Sequence, residues 1–145
     1  VLRDKLKPIL LRRTRNSVMK QLPPRSSEII RIPPTDEQAE INVAQMQIVN
    51  MIINKTFISE MDLLRLQKAL LMARLSADST FLVNKQEPGY SSKLEKIEEL
   101  LPALASEDNR KVIIFTEWTT MLTLIEEILQ KHTLHYVRLD GSVPQ

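Results

Sequence analysis

Apolar residues recur at three- and four-residue spacings through the middle of the chain and in short unbroken runs near its end. From Thr35 onward, Ile41, Ala44, Ile48 and Ile52 trace one face of a long helix, and Thr35 with Gln38 three residues later spells a capping box at its start. Leu63, Leu66 and Leu70 carry the helical period on through "EMDLLRLQKALLMARLSADSTFLV". Pro88-Gly89 in "NKQEPGY" marks a linker. Beyond it, "SSKLEKIEELLPAL" predicts a helix capped by Ser92 with Glu95 and ending near Pro102, followed by the polar loop "SEDNR". The pattern then changes. The β-branched run at 112–115 predicts a strand, the next residues to about Lys131 a helix, and "LHYVRL" at 134–139 a second strand. Upstream, "LRDKLKPILLRRTR" predicts a short helix restarting at Pro8, and "NSVMKQLPPR" a turn of helix ending before Pro23-Pro24. "SSEIIRIPP", β-branched and bounded by prolines, predicts a short edge strand.

A mostly helical stretch over 1–87 therefore precedes strand, helix, strand, the order a parallel pairing requires. The expected fold class is an α/β fragment, a helical insertion followed by the beginning of a parallel β-α-β lobe. Two strands cannot cover a doubly wound sheet, so the chain reads as an internal piece of a longer protein. It divides into a basic segment over 1–34, a helical protrusion over 35–87 and the α/β part over 88–145.

Composition narrows the chemistry. The absence of cysteine excludes disulfides, thiolate catalysis and zinc knuckles within these 145 residues, and fits an intracellular protein. The only two glycines, Gly89 and Gly141, stand far apart, so neither a G-x-x-x-x-G-K-[ST] loop nor a G-x-G-x-x-G fingerprint exists here. No apolar run is long enough to span a membrane, and the N-terminus is not a secretory signal. Residues 1–25 hold eight basic side chains against the single acid Asp4, while the whole chain carries only +2, so the remainder is acidic. That block suits either a polyanion or a solvated helix face. Asp36-Glu37 follow Pro33-Pro34 and fit the first turn of a helix better than a magnesium-binding strand end. His132 and His135 are the only histidines; His132 suits a helix C-terminus, and no metal site is expected. No catalytic constellation is visible.

In open parallel sheets, ligands sit beyond the carboxyl ends of the strands. Thr116 and Glu117 would stand at one such end, with Trp118 and the hydroxyls of Thr119 and Thr120 opening the helix that follows. The second run ends in "RLDGS", where Gly141 permits a close backbone approach and Ser142 offers a hydroxyl. Such a surface suits a phosphate. Plain helix capping and an Asp140-Gly141 turn account for the same residues equally well.

"KVIIFTEWTTMLTLIEEIL" followed by "HYVRLDGSVPQ" resembles the start of the second RecA-like lobe of the Swi/Snf-type helicase-like ATPases, around their fourth helicase motif. "LKPILLRRTRNSVMKQLPPR" is similar to the segment that follows the family's first lobe, and "IPPTDEQAEI" to its L-[TS]-x-x-Q entry into a helical insertion. "LLRLQKALLMARLSADSTFLV" resembles the leucine-rich helices, with Ala77-Asp78-Ser79-Thr80 where C-x-H-P or N-H-P is usual, and "SSKLEKIEELL" resembles the S-x-K-[LI] stretch. The matches run through nearly the whole chain in the family's order.

The resemblance implies a parent enzyme that uses ATP and Mg²⁺ to move along duplex DNA, within the nucleus of a eukaryote or the cytoplasm and nucleoid of a bacterium. This chain would hold no catalytic or ATP-binding residue and would be inactive alone. It further implies nucleic-acid contact by Thr116, Trp118, Thr119, Arg138, Gly141 and Ser142, with orienting or structural roles for Glu117 and Asp140, since a carboxylate repels phosphate. The protrusion is a place for a protein partner. The truncated sheet is expected to make the isolated chain self-associate. The alternatives are a non-enzymatic helical interaction module and a piece of another two-lobed RNA or DNA helicase.

Overall fold

The computed structural model describes residues 26–107 and 110–142, and the helices expected within 1–25, like the basic block itself, lie outside them. The chain forms two compact units, 1–31 and 32–145. In the first, residues 26–31 have no regular secondary structure and are exposed, so the edge strand expected there is absent. The second holds five helices among the described residues: α1 (Asp36–Ile53), α2 (Glu60–Ser76), α3 (Thr80–Asn84), α4 (Ser92–Ser106) and α5 (Thr119–Lys131).

α1 starts as its spelling requires. The Thr35 hydroxyl accepts from the Gln38 N–H at 3.3 Å, and the Gln38 side chain accepts from the Thr35 N–H at 3.2 Å. An equivalent box opens α2, where Ser59 and Asp62 exchange the same two bonds. Lys55 donates to Asp62 at 2.6 Å and closes the short connection between the helices. Lys55 and then Ser59 hold the Asp62 carboxyl down at about 2, against an ordinary value of 3.8. The buried residues of α2 are Asp62, Ala69, Ala73, Leu75 and Ser76, whereas Leu63 and Leu70 stay exposed and Leu66 is half-buried. Small residues four apart let the facing backbone come close.

The predicted single helix over 60–83 breaks at 77–79, because Ser79 caps a new short helix, α3, by accepting from the Phe81 N–H. α4 is capped by Ser91 rather than Ser92, and it passes through Pro102 to Ser106 instead of stopping there. The core gathers Leu75, Leu82, Met121 and Ile125, from α2, α3 and α5, with Leu94 and Ile97 of α4 and Ile114 and Trp118 packed against it.

The α/β expectation fails. The runs at 111–115 and 134–139 flank α5 as predicted, but neither is a strand, and the described residues contain no β-structure. A β-branched run becomes a strand only when a neighbour satisfies its N–H and C=O groups. Here no ladder joins the two runs, and Ile113, Phe115, Val137 and Leu139 are 76%, 89%, 100% and 83% exposed. The exit from α5 is instead fixed locally. Thr133 adopts a left-handed φ of 55°, its N–H bonds the Gln130 carbonyl at 3.0 Å, and the Leu134 N–H bonds the Leu129 carbonyl at 2.9 Å. This is a Schellman closure, built here on a β-branched residue where glycine is usual.

Candidate nucleic-acid interface

α5 organises both groups of predicted site residues. At its start Trp118 is the N-cap residue and no side chain caps the helix, so neither Thr119 nor Thr120 has the capping role. The Thr116 hydroxyl accepts from the Trp118 N–H at 3.3 Å and tightens the corner just ahead of the helix. Two cations that periodicity did not connect with this corner reach it from other helices. Arg74, near the end of α2, pairs with the Glu117 carboxylate, and its guanidinium lies 5.9 Å from the centroid of the Trp118 ring. Lys85, left-handed at the end of α3, donates from Nζ to the Thr120 hydroxyl at 3.3 Å. Glu117 therefore sits beside a partner cation, in a corner whose helix N–H groups favour anions.

The second group lies along the flank of the same helix. Arg138 donates from Nε to Asp140 at 2.7 Å and from Nη1 to Glu126 at 2.7 Å and to the Thr123 hydroxyl at 3.2 Å. Glu126 first, and then Asp140, push the guanidinium further up, so it remains charged. Its fork is thus shared between two carboxylates, an arrangement that positions the segment after α5 more than it offers charge outward. Asp140 also accepts from the Ser142 N–H at 2.9 Å and the Ser142 hydroxyl at 2.6 Å. Those two bonds, then Arg138, hold the Asp140 carboxyl at about 2. Gly141 sits in this turn with nothing within 4 Å of the position a Cβ would take and without a positive φ, so no close backbone approach requires glycine here.

The link between the groups is Thr123, which donates to the Thr119 carbonyl at 3.3 Å and accepts from Arg138. Thr123 and Glu126 were invisible as site residues because their partner lies beyond the end of the helix. Thr119 is exposed at the first turn of α5 and Ser142 is exposed after the Asp140 turn. His132 closes the helix and its Nε2 lies 3.0 Å from Glu98 of α4, which also pairs with Lys131 at 2.6 Å. Lys131 first, and His132 after it, lower the Glu98 pKa. No cluster of His, Cys, Asp and Glu among the described residues has the makings of a metal site, and no helix among them is long and apolar enough to cross a membrane.

These features sit in a chain whose residues 1–98 match the model of the SNF2-related domain, and the chain belongs to that family. It is 28% identical over 148 residues to a probable chromatin-remodeling complex ATPase chain of Oryza sativa subsp. japonica, covering 94% of this chain and 13% of that protein. To the Homo sapiens SWI/SNF-related matrix-associated actin-dependent regulator of chromatin subfamily A member 1 it is 29% identical over 150 residues, covering 96% of this chain and 14% of that protein. The chain thus spans about one seventh of the length of the curated relatives it matches. No solved structure matches it.

Proposed function

We propose that this chain is part of an ATP-dependent DNA translocase of the Swi/Snf type and that the flank of α5 is its contact with the DNA backbone. The observation that carries the reading is the corner at 116–120. An uncapped helix N-terminus faces outward there, Arg74 offsets the one nearby carboxylate, Lys85 stands alongside, and the chain belongs to the SNF2-related family. Backbone N–H groups and hydroxyls in that setting favour phosphate oxygens without reading base sequence. Thr116, Trp118 and Thr119 form the first part of the contact, and Gly141 and Ser142 the second, with Arg138 holding the two in register through Thr123. Glu117 and Asp140 serve as the carboxylates that orient Arg74 and Arg138.

ATP and Mg²⁺ belong to the parent enzyme in this reading. The residues here do not fit them: the two glycines build no phosphate loop, and the described acids form no magnesium cluster. The substrate is duplex DNA within nucleoprotein, which places the parent in a nucleus or a nucleoid.

The test is Thr119→Ala with Ser142→Ala in the full-length ATPase. DNA-stimulated hydrolysis should fall by about tenfold, equivalent to one or two lost phosphate bonds, while basal hydrolysis stays unchanged. An equal loss in both activities overturns the DNA contact and makes the two hydroxyls structural.

A further inference from the structure

The most deeply buried large side chain of the described residues is a polar one, Gln38, only 1% exposed. Its amide joins three elements. Nε2 donates to the Ser76 carbonyl in the last turn of α2 at 2.7 Å. Oε1 accepts from the Thr35 N–H at 3.2 Å, from the Ser92 N–H at 3.1 Å and from the Ser92 hydroxyl at 3.3 Å, at the start of α4. A capping box needs only the first of those acceptor bonds. The others cross 38 and 54 residues of sequence, and in a buried setting each is costly to leave unmade.

Two residues before the carbonyl that Gln38 grips stands Arg74, whose guanidinium meets Glu117 and the Trp118 ring. The last turn of α2 is thus held on one side by Gln38 and presses on the 116–118 corner from the other. We propose that Gln38 is a positioning residue for that corner, acting through the final turn of α2 and Arg74. The helical hairpin α1–α2 then does more than protrude: its base sets the placement of the cation that offsets Glu117 and covers Trp118. In function, this inference rests on the reading of the corner as phosphate-facing; the linkage itself is a matter of geometry.

Trp118 is the only tryptophan in these 145 residues, so the fluorescence of this chain, read at dilutions where its scattering-derived mass is constant, reports the corner without a label. Arg74→Ala should red-shift its emission and increase quenching by iodide, because the guanidinium no longer covers the ring. Gln38→Met keeps the side chain's length and removes the amide; it should give the same red shift with far-UV helicity retained. Combining the two should add nothing to either alone, the signature of residues acting on one path. Gln38→Glu retains the acceptor for Thr35 and Ser92 but sets a carboxylate oxygen against the Ser76 carbonyl in a buried site, so it should release the α2 turn and give a red shift at least as large as that of Gln38→Met. Wild-type emission in a folded Gln38 variant, or additive shifts in the double variant, overturns the proposal. So does wild-type emission in Arg74→Ala. The measurement contains no nucleic acid, so a failure of DNA contact leaves its outcome intact and separately readable.

Discussion

Single residues carry two constraints that their neighbours do not share. Thr133 holds a left-handed backbone at the exit of α5, a conformation that costs a β-branched residue about 1–2 kcal/mol. Thr133→Gly should therefore raise stability by about 1 kcal/mol, seen as a higher urea midpoint with an unchanged slope. Gly89 is constrained by space: a Cβ there would lie 2.8 Å from the Phe81 Cβ. Gly89→Ala should lower stability by about 1–3 kcal/mol, measurable in the same titration. Gln38 shows how far such constraints are legible in a sequence. Its spacing from Thr35 announces a cap, and the cap is present. Its bonds to Ser76 and Ser92 leave no local trace, because residues that share no helix turn leave no period behind.

At the scale of elements, the connection between α1 and α2 depends on a carboxylate. Asp62 caps α2 and binds Lys55, and those contacts hold its pKa at about 2 instead of 3.8. A lowered pKa means that the folded state favours the charged form. The resulting stabilisation is complete above the ordinary value and is lost as pH falls from there toward 2. Thermal unfolding followed from about pH 5 downward should show this acid limb, and Asp62→Asn should lower stability at the upper end while flattening the limb. Elements also divide into those that local pattern reveals and those that it does not. The helix at 36–53 follows from its spacing and its cap, and those at 92–106 and 119–131 from spacing, signals that act within a few residues, although the cap and the end of 92–106 lie elsewhere than expected. The runs at 111–115 and 134–139 have strand composition yet form no strand, since a strand is defined by what pairs with it and composition names no partner. The buried face of α2 is not given by its leucine period, for a related reason. Leucine spacing marks a stripe, but Ala69 and Ala73 are the residues small enough for close helix approach.

For the whole molecule, the unpaired runs have a physical cost. Ile113, Phe115, Val137 and Leu139 expose apolar surface along backbone that joins no ladder among the described residues, on either side of α5, and such surface favours association between copies. The isolated chain should show a scattering-derived mass that rises with concentration and falls in dilute urea below the unfolding transition; a constant monomer mass would remove the expectation. Family membership was legible from several separated stretches in a fixed order, and the match over 1–98 agrees with it. The candidate interface was legible only in part. Thr116–Thr119 and Arg138–Ser142 stand out by type and position, whereas Arg74, Lys85, Thr123 and Glu126 joined them only once the chain was folded.

The clamp at the foot of the α1–α2 hairpin separates what can vary in this arm from what cannot. Gln38 and Ser76 belong to the first and last turns, so the register between the helices is set at the foot. Equal insertions beside Ile53 and Glu60 would then lengthen the arm by ~1.5 Å per residue pair without shifting the α2 turn that carries Arg74. The length of the hairpin is thus open to change, while its foot is tied down by the Gln38 amide together with Leu75 in the core.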